Sequence, residues 1–366
     1  MLTIKKDKKF SNLISGIVIS LISLLFFLSL GELICRLKYK PQKIESNDIF
    51  EYDKDKIYKL KKNTNGYFAG KPFSTNSLGM RDYEILIEKP VDTIRILALG
   101  DSVTFGHGVT LNETFAKQLE KQLSKKIKTP SFNVINAGTP GNSTFQEYYD
   151  LKKLLKLKPD IIILQFTLND IGEKYQFTRY GGENVLDYHK VEDMFFLHRF
   201  LIQRSAFYLF YKDIVNNIRF GFSCKEDKKK KEIKDEIYKA KNLVYKFDDP
   251  KIEKAWRENS KWMQKIVDLC KKEQIDLVLL VSPFKFQLYL SESLDYPQKK
   301  LESFSRENDV SYLDLLPLIR KEIKEGDDKG WYNYFLDDDH YNPNGHSYVS
   351  DLLYNKVVEI LNDDGM

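Results

Sequence analysis

The sequence predicts an α/β domain, a central parallel sheet covered by helices on both faces, preceded by an N-terminal transmembrane helix. Three observations carry this reading. Short β-rich runs at Ile94–Leu99, Phe132–Asn136 and Ile161–Gln165 alternate with segments of helical period, the pattern of parallel strands joined by crossover helices. The third run opens Ile161-Ile162-Ile163-Leu164, apolar at consecutive positions as in a strand buried on both faces. A long uncharged segment stands alone at the N-terminus.

That segment comes first in the chain. Lys5, Lys6, Lys8 and Lys9 belong to a short basic tail, residues 1–9, ahead of the run Phe10–Gly31, which Glu32 to Cys35 extend before Arg36. About 20 mostly apolar residues cross a bilayer as a helix, so residues 10–35 are expected to be a single-pass anchor. A buried core helix is opposed by the length and the lysine flank. A cleaved signal peptide is opposed by the length and by the lack of a clear A-x-A site. Arg36, Lys38, Lys40 and Lys43 nearly balance the four preceding lysines, so the positive-inside rule is close to neutral. An extracytoplasmic catalytic domain is expected from the signal-like character of this first span.

Residues 36–90 read as a stalk and cover segment, with a strand or two. Within it Asn76 to Arg81 forms a Gly-containing turn ahead of Asp82 and Glu84, either packed on the main domain or exposed as a linker. The main domain is expected over 91–362. It adds helices at Glu113–Lys128, from Ser143 or Thr144 to about Leu157, at Ile252–Lys272 and from about Asn344 towards Leu361, and strands at Asp276–Val281 and Val310–Leu313. The regular pattern breaks at 171–253, read as a helical insertion and a candidate lid, with Lys228–Lys231 on a solvated face.

Composition excludes several classes. Hydrophobic residues make up 42% of the 366, with 24 Phe and 22 Tyr, enough for a real core. The 58 basic residues face 53 acidic ones, a mixture that argues for a soluble surface and against nucleic-acid binding. Cys35, Cys224 and Cys270 form neither a disulfide framework nor a zinc site. A single Cys224–Cys270 bridge stays open beside the alternative of free, partly buried thiols.

The chemistry-bearing residues lie in four loops. Gly100-Asp101-Ser102-Val103-Thr104-Phe105-Gly106 follows the first strand, Asn136-Ala137-Gly138 the second and Asn169-Asp170 the third, while Asp337-Asp338-Asp339-His340 precedes the last helix. In an open parallel sheet, loops at the carboxyl ends of the strands collect ligands. Together these supply a hydroxyl, amide donors, an imidazole and carboxylates, the groups acyl transfer requires. Asp338 and Asp339 remain alternatives to Asp337 beside the histidine, and His346 a rival to His340. His107 either lines the pocket or lies at the surface. His189 and His198 have no assigned role. The set Asp101, Asp170, His340 and His346 contains metal-ligating types, but nothing in the spacing requires a metal, and no cofactor is expected.

These blocks, in this order, resemble the SGNH or GDSL-type hydrolase family. G-D-S-V-T-F-G resembles its nucleophile block and N-A-G-T-P-G its second. T-L-N-D resembles its third, with Thr167 where the family has glycine. D-D-D-H resembles its D-x-x-H block, and Asn342, Gly345 and His346 continue a tail often seen after it. The resemblance covers roughly 93–170 and 275–360. It implies a flavodoxin-like three-layer α/β/α sandwich, Ser102 as nucleophile, His340 and Asp337 as base and orienting acid, and an oxyanion hole from the Ser102 and Gly138 N–H groups with the Asn169 amide. Asp101, Asp170 and His346 are expected to support these residues. The absence of G-x-S-x-G at Ser102 argues against an ordinary α/β-hydrolase elbow.

The expected activity is hydrolysis of an acyl or acetyl ester, small-molecule or glycan-borne, on the envelope side of the membrane. O-acyl transfer with the same residues, or a catalytically weak glycan-binding or scaffold protein, are the alternatives. Protein partners are not legible.

Overall fold

The computed structural model describes residues 2–37, 49–171, 201, 204–208, 210–211, 240–323 and 330–363. The expectations for Cys224, His189, His198 and Lys228–Lys231 fall outside these residues. The chain divides into two compact units, 1–44 with 191–226 and 45–190 with 227–366.

The first unit contains helix α1, Leu2–Cys35. Its stretch Ile14–Cys35 is long and apolar enough to cross a membrane by length and composition, a test that a signal sequence also passes. From Ile14 on, its large apolar side chains, among them Ile22, Leu25 and Phe27, are exposed.

The second unit is an α/β/α sandwich. Strands β5 (Thr93–Leu99), β6 (Ser131–Asn136), β7 (Ile161–Phe166), β8 (Asp276–Val281) and β9 (Ser311–Asp314) form one sheet in the order β6-β5-β7-β8-β9. All four pairings are parallel. This is the 2-1-3-4-5 order of flavodoxin-like folds, and the chain reverses direction across the sheet between β5 and β7.

Period-2 alternation sends side chains to two separate cores. Leu97, Leu99, Ile162, Leu164 and Phe166 face α4 (Thr144–Leu154) and α6 (Pro250–Glu273) through Leu151, Trp256, Met263, Ile266 and Cys270. Ile94, Ile96, Ala98, Ile161 and Ile163 face α3 (Phe115–Lys126), α8 (Leu315–Glu322) and α9 (Pro343–Asp363) through Phe115, Leu119, Ile319, Val349 and Leu353. Cys270 is a buried free thiol, pushed up to about 12 by burial and by Asp276.

Most boundaries shift by a residue or two from the sequence reading. α3 starts at Phe115 because Thr114 caps it, accepting the Lys117 N–H at 3.4 Å, and Leu111–Glu113 form a separate 3-10 turn. Ser143, not Thr144, is the cap of α4, with the Gln146 side chain accepting its N–H at 2.9 Å. Two helices escaped the sequence reading, α7 (Tyr296–Asn308) and α8. Pro297 and Pro317 both sit in a first helical turn, where a missing N–H costs nothing. A further short helix, α5 (Ala240–Tyr245), precedes α6.

The cover segment is more ordered than expected. It folds as two antiparallel hairpins, β1 (Phe50–Asp53) with β2 (Ile57–Leu60) and β3 (Asn65–Phe68) with β4 (Lys71–Ser74). Phe50, Tyr58, Leu60 and Phe73 form a small core with Phe105, three residues beyond Ser102. The Asn76–Arg81 turn packs on the domain. Asn76 Oδ1 accepts the Leu78 and Met80 N–H groups at 3.0 Å each, and Gly79 takes a φ of +83° there.

Candidate active site

Ser102 opens a four-residue helix, α2 (Ser102–Phe105), directly beyond β5. Asp101 is its N-cap and accepts the Val103 N–H at 2.8 Å. Gly106 ends it in the left-handed region, at φ +87°. Gly138 must be glycine for a different reason: a Cβ there would lie 2.2 Å from the Phe105 backbone nitrogen. The second loop is thus pressed against the backbone that carries Ser102.

The structure brings Ser102, His340 and Asp337 into one hydrogen-bonded row. Ser102 Oγ lies 2.8 Å from His340 Nε2. His340 Nδ1 lies 2.9 Å from both carboxylate oxygens of Asp337. A carboxylate only accepts, so Nδ1 carries the proton and Nε2 is left to accept from the serine hydroxyl. Asp337 Oδ1 also takes the His340 N–H at 3.0 Å. Burial opposes the imidazolium, but the bond to Asp337 and the charges of Asp339, Asp337 and Asp101 outweigh it and raise the His340 pKa. Burial likewise opposes ionisation of Asp337, and His340 overrides it, holding the carboxyl well below its usual range.

The two neighbouring aspartates are placed differently. Asp338 pairs with Lys285, Nζ to Oδ1 at 2.9 Å, and its carbonyl accepts the Lys285 N–H at 2.6 Å. Asp339 has an oxygen 3.3 Å from His340 Nδ1. Burial, opposed by His340, pushes its carboxyl up to about 6. His346 lies under the site. Its Nδ1 accepts the Phe115 N–H at 3.2 Å, and burial lowers it to about 3. It therefore stays neutral at the start of α3, with the position beside Ser102 taken by His340.

The expected oxyanion donors are near but otherwise engaged. The Gly138 N–H donates to Asn136 Oδ1 at 3.1 Å, and the Asn169 amide donates to Asp101 Oδ2 at 3.0 Å. Thr167 has a part in this: its hydroxyl bonds Asp101 Oδ2 at 3.1 Å and also contacts Asn169 Oδ1, the side-chain amide oxygen. Asp170 braces the same turn by accepting the Thr167 N–H at 3.0 Å. Asp101 thus joins the serine turn to the Asn169 turn, across the β5/β7 reversal.

Two further residues support the site: Arg81, which the sequence did not mark for it, and His107, for which the sequence left a pocket-lining or a surface position open. Arg81 is buried and fans its guanidinium over the end of α2, donating to the carbonyls of Phe105, Gly106 and Val109 at 2.7 Å each. Burial brings it down to about 10, so it remains a cation at neutral pH. His107 stacks flat on His340, ring centres 3.9 Å apart, with Phe68 edge-on behind it. Burial and the His340 charge lower His107 to about 4. Nothing local marks a single arginine in a turn as the cap of a helix 20-odd residues away. Among the described residues, His107, Asp337 and His340 have donor atoms within 4.8 Å of one another and are the cluster with metal-ligating types. The quartet with Asp101, Asp170 and His346 does not assemble.

Among curated proteins none matches the chain. Solved structures similar to it include the acetyl xylan esterase AlAXEase, at 16% identity over 72% of this chain and 100% of that one, with a TM-score of 0.42. Another is a G-D-S-L family protein from Desulfitobacterium hafniense, at 12% identity over 71% and 98%, with a TM-score of 0.38. A third is a catalytic mutant of the acetylxylan esterase Axe2 from Geobacillus stearothermophilus, at 12% over 72% and 94%, with a TM-score of 0.40. The model of the GDSL-like lipase/acylhydrolase family matches residues 98–348, well over half of the chain. The chain belongs to that family, the SGNH or GDSL-type serine hydrolases, and is an ester hydrolase of this type.

Proposed function

We propose that the protein is a membrane-anchored serine esterase that cleaves an acyl or acetyl ester on an envelope glycan through Ser102, His340 and Asp337. The row from Ser102 Oγ through His340 to Asp337, at 2.8 and 2.9 Å, is the observation that carries the catalytic part. As Ser102 Oγ attacks the ester carbonyl, His340 Nε2 takes its proton. Asp337 holds the tautomer and stabilises the imidazolium. The imidazolium then protonates the departing alcohol oxygen, and water, deprotonated by His340, resolves the acyl-enzyme.

The oxyanion is assigned to the Ser102 N–H at the start of α2, the Gly138 N–H and the Asn169 amide. An amide nitrogen bears two hydrogens, and the Asp101 bond uses one. The Gly138 N–H must swing from Asn136 when substrate arrives, a tightening common between apo and bound sites. One such donor is worth about 3 kcal/mol in the transition state.

The Ile14–Cys35 run supports a membrane anchor, and an anchor supports an immobile envelope substrate over a diffusing one. A fluorophosphonate probe with a panel of ester substrates tests the reading. Ser102 is labelled in the wild type, and labelling disappears in Ser102→Ala and His340→Ala. A folded wild type that neither labels nor cleaves any ester removes the catalytic proposal.

A further inference from the structure

Glu32 takes no part in ester cleavage, and its surroundings are unusual. It lies inside the apolar run Ile14–Cys35. An ionisable side chain within such a run is costly unless its charge and hydrogen bonds are met. They are met largely from one distant stretch of the same unit. The Glu32 carboxylate accepts from Ser205 Oγ at 2.7 Å, the Ala206 N–H at 2.9 Å and the Phe207 N–H at 3.0 Å. Arg36, one turn on, donates to it at 2.9 Å and reaches the Arg204 carbonyl at 3.0 Å. Ser205 Oγ in turn accepts the Tyr208 N–H at 3.0 Å. Glu32 and Ser205 together satisfy the N–H groups that open the helical residues 206–208.

Phe207 fixes the depth of this stretch along α1. A Cβ on Gly31 would come within 3.0 and 3.1 Å of two carbons of the Phe207 ring, so the ring lies against the bare Gly31 backbone. Gly31 is four residues inside the end of the run at Cys35, ~6 Å along a helix axis. Phe207, Phe210 and Tyr211 follow i, i+3, i+4 spacing, which places them on one helix face. All three are exposed, and so are Leu28, Leu30, Leu33 and Ile34 of α1 alongside.

We propose that residues 204–208 and 210–211 form a membrane-surface element clipped to the end of α1 by Glu32, with Phe207, Phe210 and Tyr211 seated in the headgroup–acyl boundary of a lipid bilayer. This rests on α1 spanning the bilayer. If Gly31 is below the boundary, the ring pressed against it is there too. The depth fits the ~5–10 Å at which interfacial helices bury their apolar face. Phe and Tyr suit that layer, where apolar ring bodies meet water. The element makes the anchor a two-point attachment, and Glu32 is retained in the span because it holds the second point.

The test uses the full chain in two sets of phosphatidylcholine and phosphatidylglycerol vesicles, one with acyl-chain bromine near the headgroups, to reach residue 210, and one with bromine near the chain ends, to reach residue 25, which lies ~15 Å inside the end of the run. Phe210→Trp, read as a difference from wild-type emission, reports the element, and Leu25→Trp reports the span. The proposal expects bromolipid quenching at both sites and shielding of the Trp at 210 from aqueous iodide. Quenching of Leu25→Trp alone, with an iodide-accessible Trp at 210, overturns the surface element and leaves the span standing. No quenching of Leu25→Trp overturns the span and with it the proposal. Adding Glu32→Leu is expected to abolish quenching at 210 and preserve it at 25. Undiminished quenching at 210 in that variant overturns the clip.

Discussion

Ser102 sits on a turn fixed from three distant segments, whereas Asp337 and His340 are fixed largely by each other and by their own loop. On the serine side the partners are mostly buried: Arg81 from the cover segment, Thr167 from beyond β7 beside a partly buried Asn169, and Gly138 pressed on the Phe105 backbone. On the histidine side Asp337 is about half exposed and bonds within its own loop to Asp339 and His340. The loop is closed by the Leu336 N–H on the His340 carbonyl at 2.8 Å and tethered by Lys285. The contrast follows from what each part must do. A nucleophile on a short turn, the role proposed for Ser102, has to be aimed by its surroundings. A His–Asp pair three residues apart can set its own geometry.

Substitutions on the two sides should therefore fail differently. Ser102→Ala and His340→Ala set the upper limit, a fall in kcat of about 10⁴ or more with folding intact. Asp337→Asn comes next, with a loss on the order of 10² to 10⁴ in kcat/KM and no comparable loss of stability. Its pH profile separates it from a structural lesion. The base works when neutral, so activity rises with pH through the His340 pKa, which lies above the ordinary 6.5. Removing the Asp337 charge lowers that pKa, so the acidic limb moves to lower pH. A limb that stays in place would assign the orienting role to Asp339. His107, near 4, contributes no second limb between pH 5 and 8.

Arg81→Met should reverse the balance of effects. Hydrogen bonds from a charged donor are worth roughly 1.5–3 kcal/mol each, and three carbonyls lose theirs. The unfolding free energy is expected to fall by about 4.5 kcal/mol or more in denaturant titration, with kcat falling through the loosened α2. Arg81→Lys cannot reach three carbonyls in a fan and should rescue only in part. Thr167→Gly installs the glycine that the family places there. It removes the hydroxyl's bond to Asp101 at a cost of about 1 kcal/mol, seen as a small shift in denaturation midpoint. Lys285→Ala is the smallest, below about 1 kcal/mol in stability, because its partner Asp338 is exposed. A large effect there would mean that the histidine loop depends on its tether after all.

Much of the fold was legible because it is written locally. The alternation along Ile94–Leu99 and Ile161–Phe166 assigns each side chain to one of two cores, and a strand's period of two needs no tertiary information. The motif residues were legible for the same reason, since each loop follows a recognisable strand or precedes a helix. The cover hairpins were not, because strands of four residues leave little periodicity to read. Nor were α7 and α8, whose first turns contain proline.

By itself the sequence determined the parallel α/β core, the loops in which the reactive groups lie and the apolar N-terminal run, all properties of neighbouring residues. Only the tertiary structure decided the rest. It set Asp337 rather than Asp338 or Asp339 in line with His340 and Ser102, turned the Gly138 and Asn169 donors towards Asn136 and Asp101, placed Arg81 over the end of α2, and joined Glu32 to Ser205. Each of these is a directional bond whose partner is chosen by distance in space, and a directional bond between remote residues leaves no periodic trace along the chain.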